Sequence, residues 1–247
     1  MNVCWNITSK CNKNCNYCFK FNEPDLSLEN NIKILHKLKD MGVVRIAWTG
    51  GEPYMYEDIT TLIKLSHELG IKNYVNTNAS FLTLDNLDEK LKYLDRLIIS
   101  IDFVDDSLNL KNNIGKDYYK HVSNLIPEIN KRFPKLELQI NTVVYRNNID
   151  LIDDVYKEIS KYPISRWKLI KFFPVRGKAY DEKIIYHISQ EEFNKIRDRY
   201  KDTKNNFYII LHDNNDMSKN HYIIISSGSL ISSEDTVDEI KIEKLYD

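Results

Sequence analysis

Short apolar runs and amphipathic stretches alternate along this chain. Residues 2–7 (NVCWNI) read as a strand, and residues 27–41 repeat apolar side chains at helical spacing. The pairing recurs as strands over 43–48, 72–77 and 96–102, followed by helices over 58–69, 84–93 and 118–133. A strand over 136–144 with even alternation precedes a helix over 150–162. A strand over 166–173 precedes a helix opened by Ser189, with Glu192 placed for a capping box. After about residue 202 the order changes to two β-rich pieces, FYIIL and HYIIIS, and then an acidic, polar tail. Six strand-then-helix units argue for a parallel sheet with helices outside it, and they are too few for a closed barrel of eight. The pattern therefore predicts an α/β fold: a partial (β/α)6 TIM-like barrel with a small β-containing C-terminal extension. The core domain is expected over 1–204 and the extension over 205–247. Such folds carry their chemistry where strands end. The polar stretches 11–18, 49–53, 76–80 and 100–102, with Asn141, fall there.

Composition narrows the picture. Hydrophobic residues are 42 % of 247, enough for a sizeable core in one large domain or one domain plus an extension. With 35 basic against 36 acidic residues, the net charge of −1 offers no general attraction to nucleic acid or acidic lipid. No nucleic-acid polymer is expected as a partner, and any anion must be met by a local cluster of cations. No run of about 18 apolar residues is present, so no membrane span is expected. The chain opens on a strand rather than a charged-then-apolar leader, and a cytoplasmic location is the expectation. Four cysteines, three of them clustered, suit reduced thiols on a metal better than a disulfide framework.

The cluster is CNKNCNYCF, with Cys11, Cys15 and Cys18 spaced C-x3-C-x2-C. A zinc site asks for four ligands, commonly two separated pairs. Cys4 lies on the first strand and reads as a buried strand residue. None of His36, His67, His121, His187, His212 and His221 is near the loop, and none is nominated as essential. Three thiolates suit a four-iron cubane with one iron left open to a small molecule. The plainer alternative is a structural zinc or a chance cluster. Gly50 and Gly51, without side chains, let backbone approach a ligand closely, and Glu52 follows them. The plainer alternative there is a Gly-Gly turn between strand and helix.

The cysteine spacing followed by Phe19, together with Gly50-Gly51-Glu52 after the second strand, resembles the radical S-adenosylmethionine superfamily over roughly residues 2–173. The resemblance implies that Cys11, Cys15 and Cys18 hold three irons of a [4Fe-4S] cluster. It implies that the fourth iron chelates the amino and carboxylate groups of S-adenosylmethionine, and that one-electron cleavage gives a 5′-deoxyadenosyl radical that removes hydrogen from a substrate. By the same resemblance, Gly50, Gly51 and Glu52 hydrogen-bond the cofactor's ammonium. Asn78, Ser80, Ser100 and Asp102 stand where ribose hydroxyls and the carboxylate would be met. Asn78 reads otherwise as a turn residue and Asp102 as a helix cap. Phe19 would cover the adenine or shield the cluster, and reads otherwise as core. An external electron donor of flavodoxin or ferredoxin type is implied as a partner.

Within the superfamily, RIAWTGGEPYMYED, NTNASFL, LIISIDFVDDSLN, LQINTVVYRNN, RWKLIKFF and SKNHYIIISSGSLI resemble the viperin-like enzymes. These convert a nucleoside triphosphate to its 3′-deoxy-3′,4′-didehydro form, a chain terminator used in antiviral defence. Arg166 and Lys168, two apart on a strand, point to one side of the sheet and would meet phosphates with Asn141, Lys116 and Arg176. Lys171 and Lys178 extend that basic segment, whose plainer reading is a solvated face. Among the departures from the family pattern, Gln139 replaces a lysine, Lys20 is displaced beside Glu23, Ala79 replaces a glycine, and the family's late cysteine and the animal proteins' amphipathic N-terminal helix are not expected here. Two other readings stay open. One is a single-cluster radical enzyme acting on a peptide or small metabolite, with PVRGKAY as its binding loop. The other is a non-catalytic iron–sulfur or zinc-binding interaction protein. Tyr145 is a candidate for supplying a proton or an electron at the barrel mouth.

Overall fold

The computed structural model describes residues 1–218, 221–233 and 240–246, and the acidic stretch of the expected tail lies outside them. Its strands are β1 Asn2–Thr8, β2 Arg45–Gly50, β3 Lys72–Thr77, β4 Arg96–Ser100, β5 Glu137–Val144, β6 Arg166–Lys171, β7 Tyr208–His212, β8 His221–Ile224, β9 Ser229–Ser233 and β10 Ile240–Lys244. Its helices are α1 Leu28–Asp40, α2 Ile59–Glu68, α3 Leu87–Leu91, α4 Asp106–Lys111, α5 Tyr118–Arg132, α6 Ile152–Ile159, α7 Gly177–Asp181, α8 Lys183–Tyr186, α9 Gln190–Tyr200 and α10 Asn214–Ser218. Local chemistry sets several of these limits. Ser27 accepts the Asn30 N–H to open α1, Glu29 sits in its first turn, and Lys37 and Lys39 sit in its last. The capping box expected at Ser189 is present, with Ser189 and Glu192 each accepting the other's backbone N–H. Asp105 caps α4 by accepting from Ser107 and Leu108.

The fold is α/β with an open sheet, and two compact units divide the chain inside β4. The first holds Met1–Asn12, Lys20–Leu97 and Ser218–Asp247. Its strand order is β10-β9-β8-β1-β2-β3, ending at the start of β4. β1, β2, β3 and β8 pair in parallel, and β8, β9 and β10 pair antiparallel. Val3, Trp5 and Ile7 are buried, and Trp5 stacks on its register partner Trp48 with ring centroids 5.0 Å apart. The Trp48 indole donates to the Asn73 side-chain oxygen at 2.8 Å, which satisfies its N–H inside the core. Alternation along β1 puts Cys4 on the opposite face from Trp5. It is therefore half-buried, not the buried core residue expected from sequence.

The second unit holds Lys13–Phe19 and Ile98–Met217. Its order runs from the end of β4 through β5, β6 and β7, with β5–β6 and β6–β7 parallel. Trp167 is buried on one sheet face, donates to Thr142 at 3.0 Å, stacks on Tyr156 of α6 and meets Tyr200 of α9 edge to face. FYIIL corrects the expectation that the order changes after residue 202. Its apolar core forms β7, in register with β6 (Trp167 with Ile209, Leu169 with Leu211), so a seventh parallel strand follows α9. The expected extension accordingly divides: β7 and α10 up to Met217 go with the second unit, and β8, β9 and β10 with the first.

Candidate active site

In the first unit, the backbone leaving β1 is gripped by the glycines that end β2. Gly51 N–H donates to the Thr8 carbonyl at 2.7 Å and Glu52 N–H to the Lys10 carbonyl at 2.8 Å. A Cβ at Gly50 would stand 2.2 Å from the Thr8 oxygen, and one at Gly51 would stand 2.0 Å from the Lys10 oxygen. Gly50 also has φ +134°, which disfavours any side chain. The glycines thus admit the chain's own backbone, the strand exit that leads to Cys11.

Glu52 is wholly buried. One of its carboxylate oxygens accepts from the Thr77 hydroxyl at 2.7 Å and the Tyr54 N–H at 3.3 Å, and the other accepts from the Asn78 N–H at 2.8 Å. Burial raises its pKa above the ordinary value, against the pull of those three bonds. Glu52 therefore fastens the end of β3 to the end of β2. Asn78 continues the chain of contacts. Its amide nitrogen donates to Asn12 at 3.0 Å and lies 3.8 Å from the Cys11 sulfur, while its oxygen accepts from the Ser80 N–H. The bond from Ser80 N–H makes Asn78 the turn residue of the plainer reading. Ala79, in place of the glycine of the resembled family, is held at φ 58°, the left-handed region that favours glycine. The Ser80 hydroxyl oxygen is buried with no hydrogen-bond partner among the described residues. Lys20 donates to the Ser9 carbonyl at 2.9 Å.

In the second unit, Cys15 and Cys18 bound a tight turn, with Cys18 N–H on the Cys15 carbonyl. Tyr17 between them donates its hydroxyl to one oxygen of Asp102, whose other oxygen accepts from the Val143 N–H at 2.7 Å. Asp102 is 2 % exposed. Burial pushes its pKa up to about 6, against the two bonds that lower it. Asp102 caps no helix; Asp105 does that. Burial and the neighbouring Asp102 charge raise the Tyr17 phenol well above its usual range. Tyr17 packs on Tyr145 at 5.0 Å, and Tyr145 packs on Tyr186 at 5.7 Å and donates to Asn112. Nothing in composition marked the Tyr17–Asp102 bond, which joins residues 85 positions apart. Phe19 is half-buried, and the Ser100 carbonyl accepts from the Tyr118 hydroxyl.

The expected phosphate contacts separate. Asn141 and Lys168 are register partners, and alternation puts them with Gln139 and Arg166 on the sheet face turned away from α6 and α9. Gln139 donates to Asn141 at 2.7 Å. Arg166 is the first residue of β6, 3.7 Å from Glu137 and stacked over Tyr208 at 5.6 Å. Lys171, by contrast, is buried on the other face and donates to Gln190. Lys116 is exposed ahead of α5, and Arg176 is half-buried ahead of α7, its pKa lowered by burial. The PVRGKAY segment bonds the cysteine turn itself: Lys178 donates to the Asn14 carbonyl at 3.3 Å and Ala179 N–H to the Cys18 carbonyl at 3.2 Å.

These residues fit an iron–sulfur cluster. Cys11, Cys15 and Cys18 form no disulfide among the described residues, and each is half-buried in a segment without regular structure. Among the described residues no three His, Cys, Asp or Glu side chains are placed to hold a single metal ion. A cubane asks for one thiolate per iron, and the motif supplies three. An amide N–H beside a cluster sulfur, as Asn78 offers Cys11, stabilises the thiolate.

Residues 5–159 match the family model of the Radical SAM superfamily. An S-adenosylmethionine-dependent nucleotide dehydratase of Flammeovirga pacifica is 29 % identical over 268 residues, covering 99 % of this chain and 89 % of that protein. A protein of the same name from Lacinutrix mariniflava is 27 % identical over 240 residues; the match covers 90 % of this chain and about half, 48 %, of its own length. Among solved structures, Streptococcus suis SuiB bound to S-adenosylmethionine superposes with a TM-score of 0.77 at 18 % identity, over 99 % of this chain and 63 % of that one.

Proposed function

This chain belongs to the radical SAM superfamily, and on that premise we propose that it dehydrates a nucleoside triphosphate to its 3′-deoxy-3′,4′-didehydro form in antiviral defence. The family's [4Fe-4S] cluster and S-adenosylmethionine are its cofactors, and when bound they supply a 5′-deoxyadenosyl radical. The chain's own residues bind, orient and shield. Cys11, Cys15 and Cys18 hold the cluster. Glu52 fixes the strand end from which Asn78 reaches Cys11, and the partnerless Ser80 hydroxyl offers the cofactor a hydrogen bond. Gly50, Gly51, Phe19 and Ser100 keep the cofactor-binding roles that the family motif implies. Asp102 acts through Tyr17, to which it is bonded.

The observation that carries the substrate is the pairing of Asn141 with Lys168 on the face turned from the helices, next to Gln139. A cation flanked by two amides suits a phosphate and a sugar hydroxyl. Lys116, between α4 and α5, and Arg176, on the loop after β6, add positive charge for the remaining phosphates. The likeness to two proteins named nucleotide dehydratases, over 99 % and 90 % of the chain, supports the same reading. The substrate loses a hydrogen atom from C4′ and the hydroxyl from C3′, one water overall. Releasing that hydroxyl as water takes a proton from solvent and one electron from the external donor.

The test is anaerobic. The protein is loaded with iron and sulfide, reduced with dithionite, and given S-adenosylmethionine with each nucleoside triphosphate in turn. One triphosphate should raise 5′-deoxyadenosine several-fold and yield a product lighter by one water, and Cys15→Ala should abolish both. An unchanged basal rate with all of them would sink the nucleotide reading.

A further inference from the structure

In the second unit, α6 and α9 run into β6 and β7 through two loops, residues 160–165 and 201–207, and a cavity of about 560 Å³ opens between them. That volume suits a small-molecule site. The cavity lies at the starts of the parallel strands, whereas the chemistry of such sheets gathers at their ends. Its wall is aromatic, built from the half-buried rings of Tyr156, Tyr162 and Phe207. Tyr156 stacks on Trp167 with centroids 5.9 Å apart and packs on Tyr200, which holds its ring in place, and Phe207 lies 6.3 Å from it.

Most polar groups around this cavity are committed to one another. The Tyr156 hydroxyl donates to Asn205, and the Asn205 amide nitrogen donates to the Thr203 carbonyl at 3.2 Å. The Ser160 hydroxyl donates to the Tyr156 carbonyl at 2.7 Å. No acidic side chain lines the cavity. Of the acids nearby, Glu158 is held by Lys161 and by the Tyr119 hydroxyl, which also bonds Tyr162, and Asp202 acts on Lys201. Lys204 and Asn206 are left. Both are exposed on the rim, and neither side chain has a hydrogen bond or ion pair among the described residues. An aromatic wall with one unmatched cation and one unused amide suits a planar ring that carries an anionic group.

We propose that this cavity binds an adenine mononucleotide as a second, non-reacting ligand. The base stacks on the rings, the Asn206 amide pairs a donor and an acceptor with the adenine N6 and N7 edge, and Lys204 meets the phosphate. Asn141 and Lys168 lie on the sheet face turned from α6 and α9, so this ligand is distinct from the proposed substrate. Its two loops lead straight into β6 and β7, and occupancy holds those strand starts together.

The experiment is calorimetric titration of the metal-free chain with adenosine 5′-monophosphate, with inorganic phosphate as the probe that lacks a base. The mononucleotide should bind as a single equivalent, and phosphate alone at least about tenfold more weakly for want of stacking. Lys204→Glu should weaken mononucleotide binding at least about tenfold, and Asn206→Ala about fivefold. Lys168→Ala should bind it as wild type does. Binding should weaken as ionic strength rises from about 0.05 to about 0.5 M. Absence of binding at millimolar mononucleotide, or wild-type affinity in Lys204→Glu, would overturn the proposal. So would equal affinity for inorganic phosphate, because the rings would then read no base. Loss of binding in Lys168→Ala would also overturn it, because the mononucleotide would then occupy the other sheet face. A chain that binds the mononucleotide as expected while turning over no triphosphate upholds the cavity and defeats only the substrate reading.

Discussion

Asp102 has one oxygen on the Val143 N–H and the other on the Tyr17 hydroxyl, in a place that water scarcely reaches. Its folded pKa of about 6 lies above the ordinary 3.8, so the folded protein holds this proton more tightly than the unfolded chain does. The stability it contributes is full below about pH 4 and is lost as pH rises through about 6, by about 3 kcal/mol at most. Asp102→Asn keeps the shape and cannot ionise. In urea titrations of the metal-free protein, the stability of Asp102→Asn relative to wild type should improve by about 2 kcal/mol between pH 4 and pH 7.5. A difference that stays constant with pH would show that the carboxylate is not buried in this way. At this scale the sequence singled out Asp102 by its place after an apolar strand. It did not reveal the partner, because Tyr17 is distant in the chain and nothing local pairs them.

Elements were legible where their chemistry is local. Ser189 and Glu192 announce α9, and the even alternation of β5 marks its two faces. The short helices α4, α7, α8 and α10 went unforeseen, since four to six residues carry too little periodicity to register. Gly50 and Gly51 stand out in the sequence, but their reason lies in another element. A side chain there would strike the backbone that leaves β1. Gly51→Ala should therefore cost about 3 kcal/mol or more in chemical denaturation, as overpacking against backbone does. Gly42→Ala supplies the contrast. That site has φ +76° with nothing within 4 Å of a new Cβ, so only the backbone strain of about 1 kcal/mol is expected. Equal losses at both positions would refute the close approach.

Over the whole molecule, parallel strands separate the two ends of each element, and that separates residues that look alike in sequence. Lys168 lies mid-strand beside Asn141, whereas Arg166 starts β6 and is braced by Glu137 and Tyr208. Lys168→Ala should weaken binding of the triphosphate by about tenfold with little change in thermal stability, the loss of one charge-assisted contact. Arg166→Ala should do the reverse, lowering the melting temperature by a few degrees and leaving the affinity nearly intact. Calorimetric titration and thermal melts of both variants read the two effects separately. A Lys168→Ala variant that binds as wild type would remove this face from the nucleotide site. No helix among the described residues is long and apolar enough to cross a membrane.

The sequence by itself determined the alternation of strands and helices, the α/β class and the three-cysteine motif, because periodicity and spacing are local and survive without a partner. It also carried the family resemblance over roughly residues 2–173, and the family model matches residues 5–159. Only the tertiary structure decided that FYIIL is a seventh parallel strand, that Gly50 and Gly51 admit backbone, and that Lys171 faces away from Lys168. It alone tied Asp102 to Tyr17. Each of these depends on which residue arrives from elsewhere in the chain, and packing, not local propensity, chooses that neighbour.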